Sequence, residues 1–224
     1  MTQPNLWLFD LDNTLHDADA GIFECINHAM TAYMAKRLAL SPNAASDLRA
    51  DYWQRYGATL YGLQHHHPDI DVQEFLDHTH PLDAILPLLT FEPDLATSLQ
   101  AIPGRKVIFS NAPSFYIDAL CQKMAITHLF AKRFGTDTLN YAIKPSAHAY
   151  QQVYQDQGYA PEQCIMVDDS LPNLEAAKAL GLRTVWHTPA PTAELPAYVD
   201  VTIASIAQLS ALTTASHHAI GVIA

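Results

Sequence analysis

Cysteine is scarce: Cys25, Cys121 and Cys164 are the only three in 224 residues. An odd, widely spaced set builds no disulfide framework and no paired-cysteine metal site. Each reads as a small buried hydrophobe, and the cytoplasm is the expected location. Positive charge is scarce too. Twelve Lys and Arg stand against 23 Asp and Glu, a formal charge of −11. The basic residues are scattered, adjacent only at Lys36-Arg37, Arg105-Lys106 and Lys132-Arg133. With no basic patch to offset the acidic surface, a nucleic acid polymer is not expected as a partner. No apolar run approaches the roughly 20 residues that a bilayer-spanning helix needs. The opening Met-Thr-Gln-Pro-Asn carries no basic n-region, so neither a membrane span nor a secretory signal is expected. There is no internal repeat and no low-complexity tract. Disorder is excluded by composition, with 49% of residues hydrophobic and 16% charged. The length suits one domain carrying a smaller insertion.

Short apolar runs recur along the chain. Leu6-Trp7-Leu8-Phe9 ends at Asp10, Val107-Ile108-Phe109 at Ser110, and Cys164-Ile165-Met166-Val167 at Asp168. Thr184-Val185-Trp186, Arg133 to Thr136 and Val199 to Ile203 are further strand candidates. Unbroken apolar runs of this kind suit central parallel strands covered on both faces. Helical patterns lie between them: Ser114 to Ala125, Pro145 to Gln157 with Gly158 past its end, and Leu171 to Leu180 closed by Gly181. Alternating strand and helix predicts an α/β, Rossmann-like parallel sheet.

The stretch from about Asp17 to Pro87 contains no convincing strand. Ile22, Phe23, Ile26, Ala29, Met30, Tyr33 and Met34 recur at helical spacing. Ser41-Pro42 is a helix start. Asp71 followed by Glu74 resembles a capping box with Asp in the Ser/Thr place. A helical subdomain is therefore expected at 16–90, inserted into a core formed by 1–15 and 91–213, with a loosely held tail at 214–224.

The chemistry is expected where strands end, since ligands of open parallel sheets sit outside the carboxyl ends of their strands. Asp10-Leu11-Asp12-Asn13-Thr14 follows the first strand. Two carboxylates at this spacing suit phosphoryl transfer: one attacks phosphorus, the other protonates the leaving oxygen and then activates water. Three fixed residues in five arise by chance at about one position in ten thousand, and a capped turn would use the same residue types. The later junctions supply the rest. Ser110-Asn111 offers a hydroxyl and a backbone N–H to phosphate oxygens. Lys144, taken to open a helix with Pro145, can neutralise the nucleophile and the phosphoryl group. Asp168-Asp169-Ser170 supplies carboxylates of the kind that surround Mg²⁺.

Taken together, Phe9-Asp10-Leu11-Asp12-Asn13-Thr14-Leu15, Phe109-Ser110-Asn111, Lys144-Pro145 and Val167-Asp168-Asp169-Ser170 resemble the motif set of haloacid dehalogenase superfamily phosphatases carrying a small helical cap. The resemblance implies Asp10 as nucleophile, Asp12 as general acid and base, and Ser110, Asn111 and Lys144 around the phosphoryl group. It implies Mg²⁺ held by the Asp10 carboxylate, the Asp12 backbone carbonyl and Asp169, with Thr14, Asp168 and Asn173 in support. Asn173 stands where many relatives carry a further acid. Asp12 argues against the dehalogenase branch, which lacks that carboxylate.

The cap segment Tyr52-Trp53-Gln54-Arg55-Tyr56-Gly57-Ala58-Thr59-Leu60-Tyr61-Gly62-Leu63, followed by His65-His66-His67, His78 and His80, is similar to the pyrimidine 5′-nucleotidase branch. That implies nucleoside 5′-monophosphates as substrates, with Tyr56 or Tyr61 stacking on a base. The alternative is that Trp53, Tyr56, Leu60 and Leu63 pack the cap's own interior. The histidines read as a solvated loop or as links between cap helices rather than a zinc or nickel site. The same core would equally serve a phosphatase or phosphomutase for a small sugar phosphate or phosphoglycolate, or a non-catalytic binding protein on this scaffold. A small phosphomonoester is the expected partner, and the chain is expected to be a monomer or dimer. Cap closure about Leu15 to Ala20 and Phe91-Glu92-Pro93 would exclude water during the first transfer.

Overall fold

The computed structural model describes residues 6–190 and 194–210; the tail expected from 214 lies outside them. The core is a sheet of six strands: β1 (Leu6–Phe9), β2 (Arg105–Phe109), β3 (Lys132–Phe134), β4 (Cys164–Asp168), β5 (Arg183–His187) and β6 (Val201–Ile203). They are ordered β3-β2-β1-β4-β5-β6, and each neighbouring pair is parallel. This is the Rossmann-type α/β fold. The strand order reverses between β1 and β4, the switch point where such sheets open a ligand crevice. All four β1 residues are buried, as befits a strand covered on both faces.

The chain divides into two compact units, one made of the residues to Asp17 and from Thr90, the other of Ala18–Leu89. The second unit is helical, with α1 (Ile22–Arg37), α2 (Pro42–Tyr56), α3 (Thr59–His66), α4 (Val72–Thr79) and the short α5 (Leu82–Ile85). Ser41 Oγ accepts from the Ala44 N–H (3.3 Å) to cap α2. Asp71 Oδ1 accepts from the Glu74 N–H (2.9 Å) to cap α4. The first unit adds α6 (Leu95–Ala101), α7 (Ser114–Lys123), α8 (Ala147–Asp156) and α9 (Leu171–Ala179). Among the described residues no helix is long and apolar enough to cross a membrane.

Three expectations shift at element ends. β3 stops at Phe134, because Gly135 and Thr136 leave the ladder to bond the loop after β2: the Thr136 N–H reaches the Ala112 carbonyl (3.0 Å) and its hydroxyl the Asn111 carbonyl (2.6 Å). β6 begins at Val201, since the Val199 and Asp200 N–H groups bond the Pro196 and Thr184 carbonyls, respectively. Pro145 does not open α8. Its bond to Lys144 is cis, the Ser146 N–H closes a turn on the Ile143 carbonyl (2.9 Å), and the helix starts at Ala147.

In the helical unit, Leu60 and Leu63 are buried, whereas Trp53 is 62% exposed and Phe23 is exposed too. The glycines at 57 and 62 have separate physical causes. Gly57 ends α2 at φ 76°, a left-handed conformation that glycine adopts without strain. Gly62 lies against the Tyr52 ring, where an added Cβ would stand 2.2 Å from Cγ. Gly62→Ala is therefore expected to cost about 1–3 kcal/mol by overpacking. Thermal melting together with limited proteolysis of the 18–89 segment checks this; an unchanged melt and cleavage pattern would mean that α2 and α3 part without cost.

Candidate active site

Asp10 follows β1 directly and is buried. Its N–H continues the ladder to the Val167 carbonyl (2.9 Å), so its position is fixed by the sheet. The chain then turns sharply: the Leu15 N–H bonds the Leu11 carbonyl (2.8 Å) and Asn13 takes φ 59°, which asparagine tolerates better than most residues. From the end of β5, His187 Nδ1 lies 2.9 Å from the Asn13 carbonyl. Burial holds His187 below the usual histidine range, so its neutral ring donates from Nδ1 and pins this turn.

Lys144 joins β1 to β4. Its Nζ donates to Asp10 Oδ1 (2.7 Å) and to Asp168 Oδ2 (2.8 Å). Burial works against its charge, but Asp10 and Asp168 outweigh it and raise its pKa above the usual lysine range. The lysine's backbone is itself held. Lys144 N–H donates to Asn111 Oδ1 (2.8 Å), and Asn111 Nδ2 donates to the Lys144 carbonyl (3.0 Å). The Asn111 side chain thus aligns Lys144, leaving only its backbone N–H for a phosphate oxygen. Ser110, also buried, accepts on Oγ from the Ala112 N–H (3.1 Å).

Asp168 is saturated. Oδ1 accepts from the Ser170 N–H (2.8 Å) and from Asn173 Nδ2 (3.1 Å), while Oδ2 accepts from Lys144 and again from Asn173 (3.1 Å). Asn173 therefore serves as a donor to Asp168, which an acid at that position could not do when ionised. The phenol of buried Tyr150 in turn donates to the Asn173 carbonyl (2.7 Å).

Asp10, Asp168 and Asp169 place carboxylate oxygens within 4.8 Å of one another, the only such His/Cys/Asp/Glu cluster among the described residues. Burial pushes Asp10 well above the usual carboxylate range. Lys144 opposes this, while Asp168, Asp169 and Asp12 add to it. Asp169 is pushed up to about 6, first by burial and then by Asp168. Three close carboxylates facing one ammonium are short of positive charge, and the donor set is all oxygen. Both features fit a hard divalent cation such as Mg²⁺. With Asp168 saturated, the carboxylates with ligand capacity are Asp10 and the more open Asp169.

Asp12 lies beyond this cluster. Its Oδ1 accepts from the Tyr116 hydroxyl (2.5 Å) and is 2.9 Å from His16 Nε2. Among the described residues the buried Thr14 Oγ1 has no hydrogen-bond partner. Tyr116, His16, His187 and Tyr150 were not singled out from the sequence. His16 had a weak local signal, four residues after Asp12, whereas Tyr116 comes 104 residues later. Trp186, read there only as a strand residue, also touches the site by donating Nε1–H to the Asp169 carbonyl (2.9 Å).

The helical unit is described by itself. Tyr56 pairs its hydroxyl with His66 Nε2 (2.7 Å), Tyr52 pairs with His67 Nε2 (3.1 Å), and His66 stacks on Tyr52 at 5.3 Å. The His78 Nδ1 lies 2.8 Å from the Glu74 carbonyl. Tyr61 is half-buried on α3. An open hollow of about 560 Å³ between α1 and α2 is lined by residues including Phe23, Asn27, Asn43 and Arg49. Neither Tyr56 nor Tyr61 lines it.

The family model of the haloacid dehalogenase-like hydrolases matches residues 5–181. The chain belongs to that family. Among relatives of this hydrolase is a phosphoglycolate phosphatase of Pseudomonas putida, 28% identical over 84% of this chain and 70% of that protein. Another phosphoglycolate phosphatase, of Aliivibrio fischeri, is 26% identical over 77% of this chain and 79% of its own. Among solved structures, a HAD phosphatase from Thermococcus onnurineus superposes with a TM-score of 0.68, covering 93% of this hydrolase and 97% of that chain at 19% identity. That last likeness bears on the fold.

Proposed function

We propose that this hydrolase is a Mg²⁺-dependent phosphomonoesterase for small phosphate esters, phosphoglycolate foremost. The observation that carries the reading is the Lys144 bridge between Asp10 and Asp168, beside Asp169 and two residues from Asp12. In this reading an Asp10 oxygen attacks phosphorus while the phosphorus–ester oxygen bond breaks. The Asp12 carboxyl delivers its proton to the departing oxygen. A water then attacks the aspartyl-phosphate, giving its proton to the Asp12 carboxylate, and the Asp10–phosphorus bond breaks to release phosphate. Lys144, Ser110 and the Asn111 N–H hold phosphoryl oxygens through both transfers. Asp10 and Asp169 would hold Mg²⁺, with the Asp12 carbonyl as the further protein ligand that the motif resemblance implies. When bound, the ion neutralises charge on the phosphoryl group and keeps Asp10 ionised against its burial. Asp168, Asn173 and Thr14 support that arrangement.

Phosphoglycolate is placed first because the curated relatives carry that name over most of both chains. The segment 56–63, which resembles the pyrimidine nucleotidase branch, has a packing account in the contact of Gly62 with Tyr52. A nucleotide is the second reading, supported by the likeness of that segment to the pyrimidine nucleotidase branch.

The test is phosphate release with Mg²⁺ from phosphoglycolate, several sugar phosphates, UMP, CMP, dTMP and AMP. Phosphoglycolate is expected to lead. A pyrimidine preference would instead favour the second reading, and no release from any ester would end both. EDTA is expected to remove activity, and Mg²⁺ to restore it. At 100 times its dissociation constant, Mg²⁺ should stabilise the protein by about 2.7 kcal/mol. Asp169→Asn should abolish this gain in calorimetry. An equal gain in that variant would exclude Asp169 as a ligand.

A further inference from the structure

We propose that Tyr116 and His16 are positioning residues that orient the carboxyl of Asp12 for its exchange of a proton with the substrate oxygen. This rests on the phosphomonoesterase reading above. Two donors converge on one oxygen: the Tyr116 hydroxyl at 2.5 Å and His16 Nε2 at 2.9 Å from Asp12 Oδ1. Both side chains are buried, so water does not compete for these bonds. With Oδ1 in contact with two donors, the carboxyl plane is held by bonds from two directions.

Both donors are secured as donors. The Tyr116 phenol has a single O–H, and Asp12 Oδ1 receives it. Among the described residues the buried Nδ1 of His16 has no hydrogen-bond partner. The tautomer with its proton on Nε2 leaves a bare acceptor at Nδ1 rather than an orphaned N–H, and it presents Nε2–H to Asp12. The turn at Asn13 brings His16 back against Asp12, and α7 brings Tyr116.

The role separates from mere support of the fold by leaving-group chemistry. A nitrophenolate leaves readily without a proton; an alkyl oxygen does not. The ratio kcat/KM reports steps up to cleavage of the ester bond, so the second transfer does not enter it. We would measure it on p-nitrophenyl phosphate and on phosphoglycolate, or a faster alkyl ester of the panel, with Mg²⁺. The variants are Tyr116→Phe, His16→Leu and His16→Gln. General acid catalysis supplies about 10²–10⁴-fold, so loss of one anchor is expected to cost at least about tenfold more on the alkyl ester than on the aryl ester. His16→Gln, which retains an N–H near the place of Nε2, should recover most of that difference. Equal losses on both esters, or no loss, would overturn the proposal alone. An inactive wild type would overturn the catalytic reading and this inference with it. Tyr116→Phe removes only an oxygen, and it carries the test if His16→Leu fails to fold.

Discussion

Asp10→Asn is expected to reduce phosphate release at least about 10⁴-fold, the scale on which loss of a nucleophile acts, while the protein stays folded. The amide keeps the shape of the carboxylate but supplies no anionic oxygen to attack phosphorus. Its effect on stability follows from the electrostatics of the site. Burial together with Asp168, Asp169 and Asp12 already disfavours charge at Asp10, and Lys144 opposes them. A neutral side chain removes the repulsion and one ion pair together, and Lys144 retains Asp168 at 2.8 Å. The melting temperature without metal should therefore stay within roughly 2–4 °C of wild type, the scale of a 1 kcal/mol change. Acid-quenched wild type should carry phosphate on the Asp10 peptide by mass spectrometry, and the variant none. Activity above a tenth of wild type would rule out Asp10 as the nucleophile.

The strands were legible because parallel strands covered on both faces have no polar side to encode. Leu6 to Phe9 and Cys164 to Val167 are unbroken apolar runs, each halted by an aspartate. The same aspartates stand at strand ends, so Asp10, Asp168 and Asp169 are legible as junction residues, and Lys144 through the motif set they share. What stayed hidden depends on distant partners. The Asn111 backbone N–H is legible as a phosphate ligand, but the fit of its side-chain amide to the Lys144 backbone 33 residues on is not. Pro145 was read as the first residue of a helix, since its fixed φ suits that place; the turn closed on Ile143 delays α8 by two residues. Asn173 was a support of unstated chemistry until Asp168 proved to need its N–H donors. In the helical unit, segment composition could not separate a ring that stacks on a ligand from one that packs. Gly62 against Tyr52 explains a glycine through a neighbour ten positions earlier, and Trp53, one residue away, faces solvent.

Lys144→Met should give the largest loss of stability of any single change at the site. Methionine fills most of the lysine stem but leaves Asp10 and Asp168 facing one another, both buried, without their shared cation. Breaking one partner of a buried ion pair costs about 3–5 kcal/mol, and at roughly 2–4 °C per kcal/mol for a chain of this size the core should melt about 6–20 °C lower. Replacing Asp168 in the same protein by Asn removes one of the two carboxylates that shared the ammonium, so the double variant is expected to melt above the single one; a shared network makes the two changes non-additive. In the proposed reading Mg²⁺ would share the Asp10 carboxylate, so the deficit should be larger in EDTA than with the ion present. Activity should fall in every case, because in the proposed reading the phosphoryl group loses its fixed ammonium. A shift below about 2 °C, the least that 1 kcal/mol produces, would mean that the two aspartates find water or protons in its place. The bridge would then be a contact of the folded chain rather than a source of its stability.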